Sequence, residues 1–338
     1  MPYISGIRHS TWLCLRLLGM ESWDGPPWPA SAQGGLGRFA AGTTAAPPLG
    51  LGYAGAMLLR RRELLLSTAA APLAAVAAPR RLRIPQVSAK AALERSYAAV
   101  LLRRALEAAG MPVTLEPTAE PIPQNRALQE LGRRSRLDVL WTMTSVEREQ
   151  QALPVRFPIF KGLYGWRLLL ALPEVAARLR GVRHLDGLRG FSLVQGLEWP
   201  DAGILQGNGL NVVVSPGYDA MFRQLRLGRV DAFPRSVEEV WWELARHGQG
   251  LTVVPDLCLH YPAAVYYFVA PGEVELAAAI ELGLSRLLAS GGFDRLFLVH
   301  HRQDLARARL GSRRVIELHN PLLPPQTPLH RPELWYRP

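Results

Sequence analysis

Trp141-Thr142-Met143-Thr144-Ser145 puts an indole and three hydroxyls within five residues. The stretch before it, Leu137 to Trp141, is rich enough in apolar and β-branched residues to predict a strand, so the hydroxyls fall at its carboxyl end. An aromatic face with a few polar anchors is the composition of a small-molecule pocket. Gln195 and Trp199 repeat the combination after a second expected strand, Phe191 to Val194. Packing in the core is the more ordinary role for either tryptophan. Lys161-Gly162 offers an ammonium and a free backbone N–H where the chain would pass from one lobe to the next. Trp241 and Trp242 are neighbours on an expected helix, so one faces inward and the other rims the surface. His300-His301 looks like part of a metal site, but adjacent residues on one element diverge and no acidic partner is spaced to complete it. Both are expected on the surface, with no metal bound.

Covalent and redox chemistry find little support. The chain has no His-Glu-x-x-His, no Gly-x-Ser-x-Gly, no P-loop and no Gly-x-Gly-x-x-Gly after a strand. Its cysteines, Cys14 and Cys258, are too few for a disulfide framework or a cysteine zinc site. The expectation is a binding protein without a cofactor rather than an enzyme.

The elements that must hold these residues alternate. Arg81 to Pro85 reads as a strand, Ala91 to Gly110 as an amphipathic helix, Pro112 to Pro117 as a strand and Gln124 to Arg136 as a helix, before the strand ending at Trp141. A second series follows the aromatic, glycine-punctuated stretch Phe157 to Leu172. Its helices are expected over 182–188, 201–207, 219–228 and 237–247, and its strands over 191–194, 211–214, 230–233 and 251–255. Val265 to Val269 reads as a return strand and Glu273 to Ser290 as a long helix. Beyond Arg307 the proline-rich tail is expected to lie extended over the first lobe. Such alternation predicts mainly parallel sheets with helices on their faces, which bind ligands at the carboxyl ends of their strands.

With 338 residues, 49% hydrophobic and 20% charged, the chain can build two folding units and is not disordered throughout. Its net charge of +11 comes almost entirely from arginine, since only Lys90 and Lys161 are lysines. The arginines are dispersed and not interleaved with aromatics, which argues against nucleic acid. The run from Met57 sets Arg60-Arg61-Arg62 before an apolar stretch, Leu64 to Ala78, ending in Ala75-Val76-Ala77. That is the design of an export signal, by a Sec or twin-arginine route, although a short buried helix would read alike. Residues 1–56 show no sustained period and are expected to be an over-extended gene start or a disordered leader.

Taken together, Asp138 to Phe160, the run Leu227-Gly228-Arg229-Val230-Asp231-Ala232-Phe233, and Leu284 to Phe293 resemble the bacterial extracytoplasmic solute-binding proteins of amino-acid-type ABC transporters. The resemblance implies the type II periplasmic-binding-protein fold: two α/β lobes joined by two crossover strands, closing on a small solute. It implies a periplasmic location, a membrane permease as partner and no chemistry on the solute. Arg148 matches the arginine that pairs with a ligand carboxylate in that family, and Thr142, Thr144 and Ser145 match its hydroxyl ligands. Where the family places an aspartate for the ligand ammonium, this chain has Pro234-Arg235-Ser236, and Gln195 to Trp199 replaces the hydroxyl residues of the second lobe. Two arginines, Arg148 and Arg235, facing one cleft fit an anion or a polar acidic solute as well as an amino acid. Glu198 or Glu238 could supply a negative charge.

The expected organisation is therefore a leader at 1–56, a signal peptide at 57–77, lobe one at 80–168 plus 266–338, and lobe two at 169–265, in a monomer. An orphan sensory module, or an enzyme on the same scaffold, would share it.

Overall fold

A computed structural model describes residues 79–86, 93–133 and 136–338. The expected leader and export signal lie outside the described residues. A first series comprises β1 (Arg80–Ile84), α1 (Tyr97–Ala108), β2 (Val113–Pro117), α2 (Gln124–Gly132), β3 (Val139–Met143), α3 (Val146–Gln151) and β4 (Leu153–Val155). A second opens with β5 (Trp166–Ala171), α4 (Pro173–Arg180), α5 (Leu185–Leu188), β6 (Ser192–Gly196), α6 (Pro200–Gly207) and β7 (Asn211–Ser215). It continues through α7 (Tyr218–Arg226), β8 (Phe233–Ser236), α8 (Val240–His247), β9 (Thr252–Val253) and β10 (Leu257–His260). The chain then returns through β11 (Val265–Val269) to α9 (Val274–Ala289), α10 (Gly292–Ala308) and β12 (Arg314–Glu317).

The strands divide into two groups. In the first, β1 pairs parallel with β2, and β11 lies antiparallel between β3 and β4. In the second, β6 pairs parallel with β7 and β10 with β12, while β5 runs antiparallel to β8, β9 and β10. Parallel pairing thus belongs to the strand–helix–strand units, and the crossing strands β5 and β11 supply the antiparallel pairs, so both groups are mixed. The chain passes between them from α10 to β12 and, before that, through two neighbouring passages, β4 to β5 and β10 to β11, which give the two-lobed α/β architecture. They touch where the Tyr261 N–H donates to the Gly165 carbonyl, 3.2 Å away.

Strand periodicity places the first core. Val265, Tyr267 and Val269 of β11 join the main hydrophobic cluster, which includes Leu101, Leu102 and Leu106 of α1 and Leu276, Ile280 and Leu284 of α9. The alternate residues Tyr266 and Phe268 face a second cluster with Leu128 and Leu131 of α2. Every other side chain of a strand points to the same face, so five residues separate two layers. Tyr97 and Tyr267 satisfy their buried hydroxyls on the Ile159 and Ala98 carbonyls.

Three expectations need correction. Residues 292–308 form α10, because apolar Phe293 and Phe297 recur on its buried face together with His301. His301 is only 2% exposed and packs against Tyr97, Phe160 and Phe297; it is a core residue, not a surface one. The tail does not lie over the first lobe alone: its β12 extends the second sheet beside β10. Strand β8 also sits three residues later than expected, since Val230 and Asp231 end the turn and Asp231 caps Ser192. No single helix among the described residues is long and apolar enough to cross a membrane.

Candidate functional site

A cavity of about 210 Å³ lies between the two strand groups, lined by Gln124, Trp141, Thr142, Tyr164, Arg167, Trp199, Asp201, Arg235 and Glu239 among others. The contributors are element ends. Trp141, Thr142 and Met143 finish β3, Gln124 opens α2, Asp201 stands in the first turn of α6, and Arg235 lies in β8. Chain direction therefore gathers them: β3, β6 and β8 present their carboxyl ends, and helices start there.

Arg148 closes the first-lobe side. Ser145 caps α3 by accepting from the Arg148 N–H at 3.2 Å, which fixes the backbone from which the side chain turns inward. Its guanidinium is 4% exposed. Nη1 donates to Thr142 Oγ1 at 2.7 Å and the Met143 carbonyl at 2.9 Å; Nη2 donates to Gln124 Oε1 at 2.8 Å and, across the cavity, to the Glu198 carbonyl at 3.0 Å. All four acceptors are neutral. Burial, opposed by the more distant Asp201, Glu147 and Glu198, brings the guanidinium pKa down to about 10, so it stays charged at neutral pH. The carboxylate of Glu198 accepts instead from the Asn125 N–H at 3.3 Å.

The other two arginines are balanced. Arg167, fully buried on β5, bonds to Asp201, which also accepts from the Tyr261 hydroxyl, and Glu239 lies 3.7 Å from Arg167 Nη1. Arg235 forks onto Glu243 with two 2.7 Å bonds and meets Glu239 at 2.9 Å. Tyr218 donates to Glu243 at 2.6 Å, and the Arg235 guanidinium lies 4.7 Å from the centre of the Trp199 ring. Burial alone would lower the Arg235 pKa, but Glu239 and Glu243 outweigh it and hold it well above the ordinary value. The same arginines outweigh burial at Glu239 and keep its pKa low. Arg235 is therefore neutralised twice within its own lobe, so it does not serve as a second free anchor for an anion.

The remaining expected site residues divide. Trp141, Thr142, Trp199 and Arg235 line the cavity. Thr144 is turned to Glu149, to which its hydroxyl donates at 2.7 Å, and Ser145 is spent on its cap. Gln195 and Ser236 are buried within the second sheet; Gln195 Nε2 donates to the Pro234 carbonyl, while Gln195 Oε1 and Ser236 Oγ have no protein partner. Lys161 does not supply an ammonium to the cavity: it donates to Asp294 at 2.5 Å and the Glu333 carbonyl at 2.7 Å, because its loop packs against α10 and the tail. Glu238 accepts from the Tyr164 hydroxyl at 3.4 Å. Sequence reasoning missed Gln124, Tyr164, Arg167, Asp201 and Glu239. The available signal was Asp201 behind Pro200, an acid in a helix's first turn just past a strand end. No cluster of metal-ligating side chains occurs among the described residues.

No family model matches the chain, and none of the curated proteins matches it. Among solved structures it is similar to the substrate binding protein of an amino acid ABC transporter: 11% identity, 66% of this chain and 99% of that one, TM-score 0.48. A periplasmic His/Glu/Gln/Arg/opine family-binding protein from Silicibacter pomeroyi in complex with lysine matches at 15% identity over 65% of this chain and 96% of that one, TM-score 0.48. A histidine kinase sensor domain with similarity to periplasmic binding proteins matches at 19% identity over 64% and 93%, TM-score 0.45.

Proposed function

We propose that the protein is an exported solute-binding protein that holds a small anionic or acidic polar solute between its lobes and passes it to the permease of an ABC transporter. The lobes are residues 80–168 plus 266–338 and residues 169–265, with β12 crossing to the second. The observation that carries the reading is Arg148: a buried guanidinium beside the cavity whose four bonds go to neutral oxygens, whereas Arg167 and Arg235 each have carboxylates. A buried cation is stabilised most by an anion that can replace neutral acceptors with a bidentate charge-assisted pair. Trp141 and Trp199 supply apolar walls, and a volume of about 210 Å³ suits a molecule of amino-acid size. Binding without turnover is favoured because both lining carboxylates, Asp201 and Glu239, are held against arginines and are poorly placed to exchange protons.

The test is calorimetric titration of the full chain with succinate, L-glutamate and putrescine. Binding of an acid and not of the diamine is expected. Arg148→Ala should weaken that binding by about 1.5–3 kcal/mol, the range for a lost hydrogen bond to a charged group. Equal affinity in the variant would remove Arg148 from the site.

A further inference from the structure

Residues 318–322 run from the end of α6, whose first turn lines the cavity, to the start of α3. Leaving β12, Leu318 donates its N–H to the His260 carbonyl at 2.7 Å. His319 is then clasped by Asn208 at the end of α6: its N–H donates to Asn208 Oδ1 at 3.0 Å, and its carbonyl accepts from Asn208 Nδ2 at 2.7 Å. Three residues on, the Leu322 carbonyl accepts from the N–H of Val146, the first residue of α3, at 3.1 Å. Buried Asn320 shapes the span between, donating to the Pro262 carbonyl at 2.8 Å and accepting from the Leu322 N–H at 3.0 Å. Pro321 rests on Gly207 of α6, where a Cβ would stand 2.9 Å from its Cγ. Farther along, the Tyr336 N–H donates to the Lys161 carbonyl at 2.7 Å, returning the tail to the first lobe.

Helix α6 belongs to the second lobe and carries Asp201; α3 belongs to the first and carries Arg148. Between the Asn208 clasp and the Val146 bond lie three Cα steps, about 10 Å of chain even when fully extended. While both attachments hold, the end of α6 and the start of α3 cannot move apart beyond that reach. We propose that residues 318–322, by which the chain leaves β12 for the first lobe, are a latch that acts alongside the crossing passages and the bonds of Arg148 and Asn125 to Glu198, and that it must leave α6 or α3 before the cavity can open widely. The latch gates solute entry and release. It rests on the two-lobed arrangement and not on the identity of any solute, so its test adds none, and the solute reading can fail without it.

The experiment is pulsed electron resonance on the full chain with Cys14→Ser, spin-labelled at Arg126→Cys in α2 and Arg223→Cys in α7, both exposed. A single narrow distance is expected. Asn208→Ala, which removes the clasp, and Gly207→Leu, which pushes Pro321 off α6, should each add a second population with a distance altered by several ångströms. A broad or two-peaked distribution in the spin-labelled parent, or the parent's single distance in variants that keep its circular dichroism, would overturn the latch. Hydrogen exchange on the parent gives a reading that does not depend on the variants folding. The Val146 and His319 amides should be protected together, and rapid exchange of Val146 beside a protected β12 would equally overturn it.

Discussion

Arg167 and Arg235 line the space between the lobes and Arg148 lies beside it, bonded to Thr142 and Gln124 of the lining; what separates the three is the charge set against each. Arg235 is held by Glu239 and Glu243, and both Arg235 and Glu243 are almost fully buried. Removing Glu243 takes away the two shortest bonds of a buried guanidinium and leaves it with Glu239 alone, in a poorly solvated place. Glu243→Ala should therefore cost about 3–5 kcal/mol of stability, measured by chemical denaturation, without abolishing the Arg148 contacts. A loss well below that would mean Glu239 alone balances Arg235. Arg148 is the opposite case, a cation served by dipoles, and there the substitution should act on binding first.

At the scale of elements, the site depends on two chain passages lying close. A Cβ on Gly165 would stand 1.9 Å from the Tyr261 carbonyl oxygen, so the approach of these passages tolerates no side chain. Gly165→Ala should destabilise by about 1–3 kcal/mol through overpacking, and an unchanged urea midpoint would show that the passages can spread. Much of this level was legible in the sequence. The return strand at Val265–Val269 has the expected bounds, and the alternation of strands and helices through β8 follows from period and turn residues. What escaped were elements whose pattern is set by distant partners. β5 is buried at all six positions, so it shows no alternation, and β10 and β12 are four-residue strands that exist through pairing with each other. The pairing of Arg167 with Asp201 was illegible for the same reason: 34 residues apart, they meet only because β5 and α6 converge. Arg148 was picked out through the family resemblance, and the Ser145 cap three residues before it fixes the backbone from which it turns inward.

For the molecule as a whole, two ion pairs, one in the cavity wall and one partly exposed, set the response to acid. The pKa of Glu239 is held below its ordinary value of 4.5, by Arg235 and Arg167 against the effect of burial. Arg83 lowers that of Asp138 from 3.8, again against burial. A carboxylate whose folded pKa is depressed contributes stability above its unfolded value and loses it as pH falls through the folded one. Stability should hold from neutrality to about pH 5 and decline below pH 4.5, and Glu239→Gln should flatten the upper part of that decline. An acid limb of the same shape in the variant would assign the loss to other groups. A solute that binds only the folded, two-lobed state raises the melting temperature, and more so the further its free concentration exceeds its dissociation constant. The central claim, that the space between the lobes takes an acidic solute through Arg148, is tested most directly by a thermal-shift panel of amino acids, organic acids and polyamines run in parallel on the parent and on Arg148→Ala. The account predicts that at least one acid raises the melting temperature of the parent and leaves that of the variant unchanged; equal shifts in both proteins, or a response to polyamines alone, would contradict it.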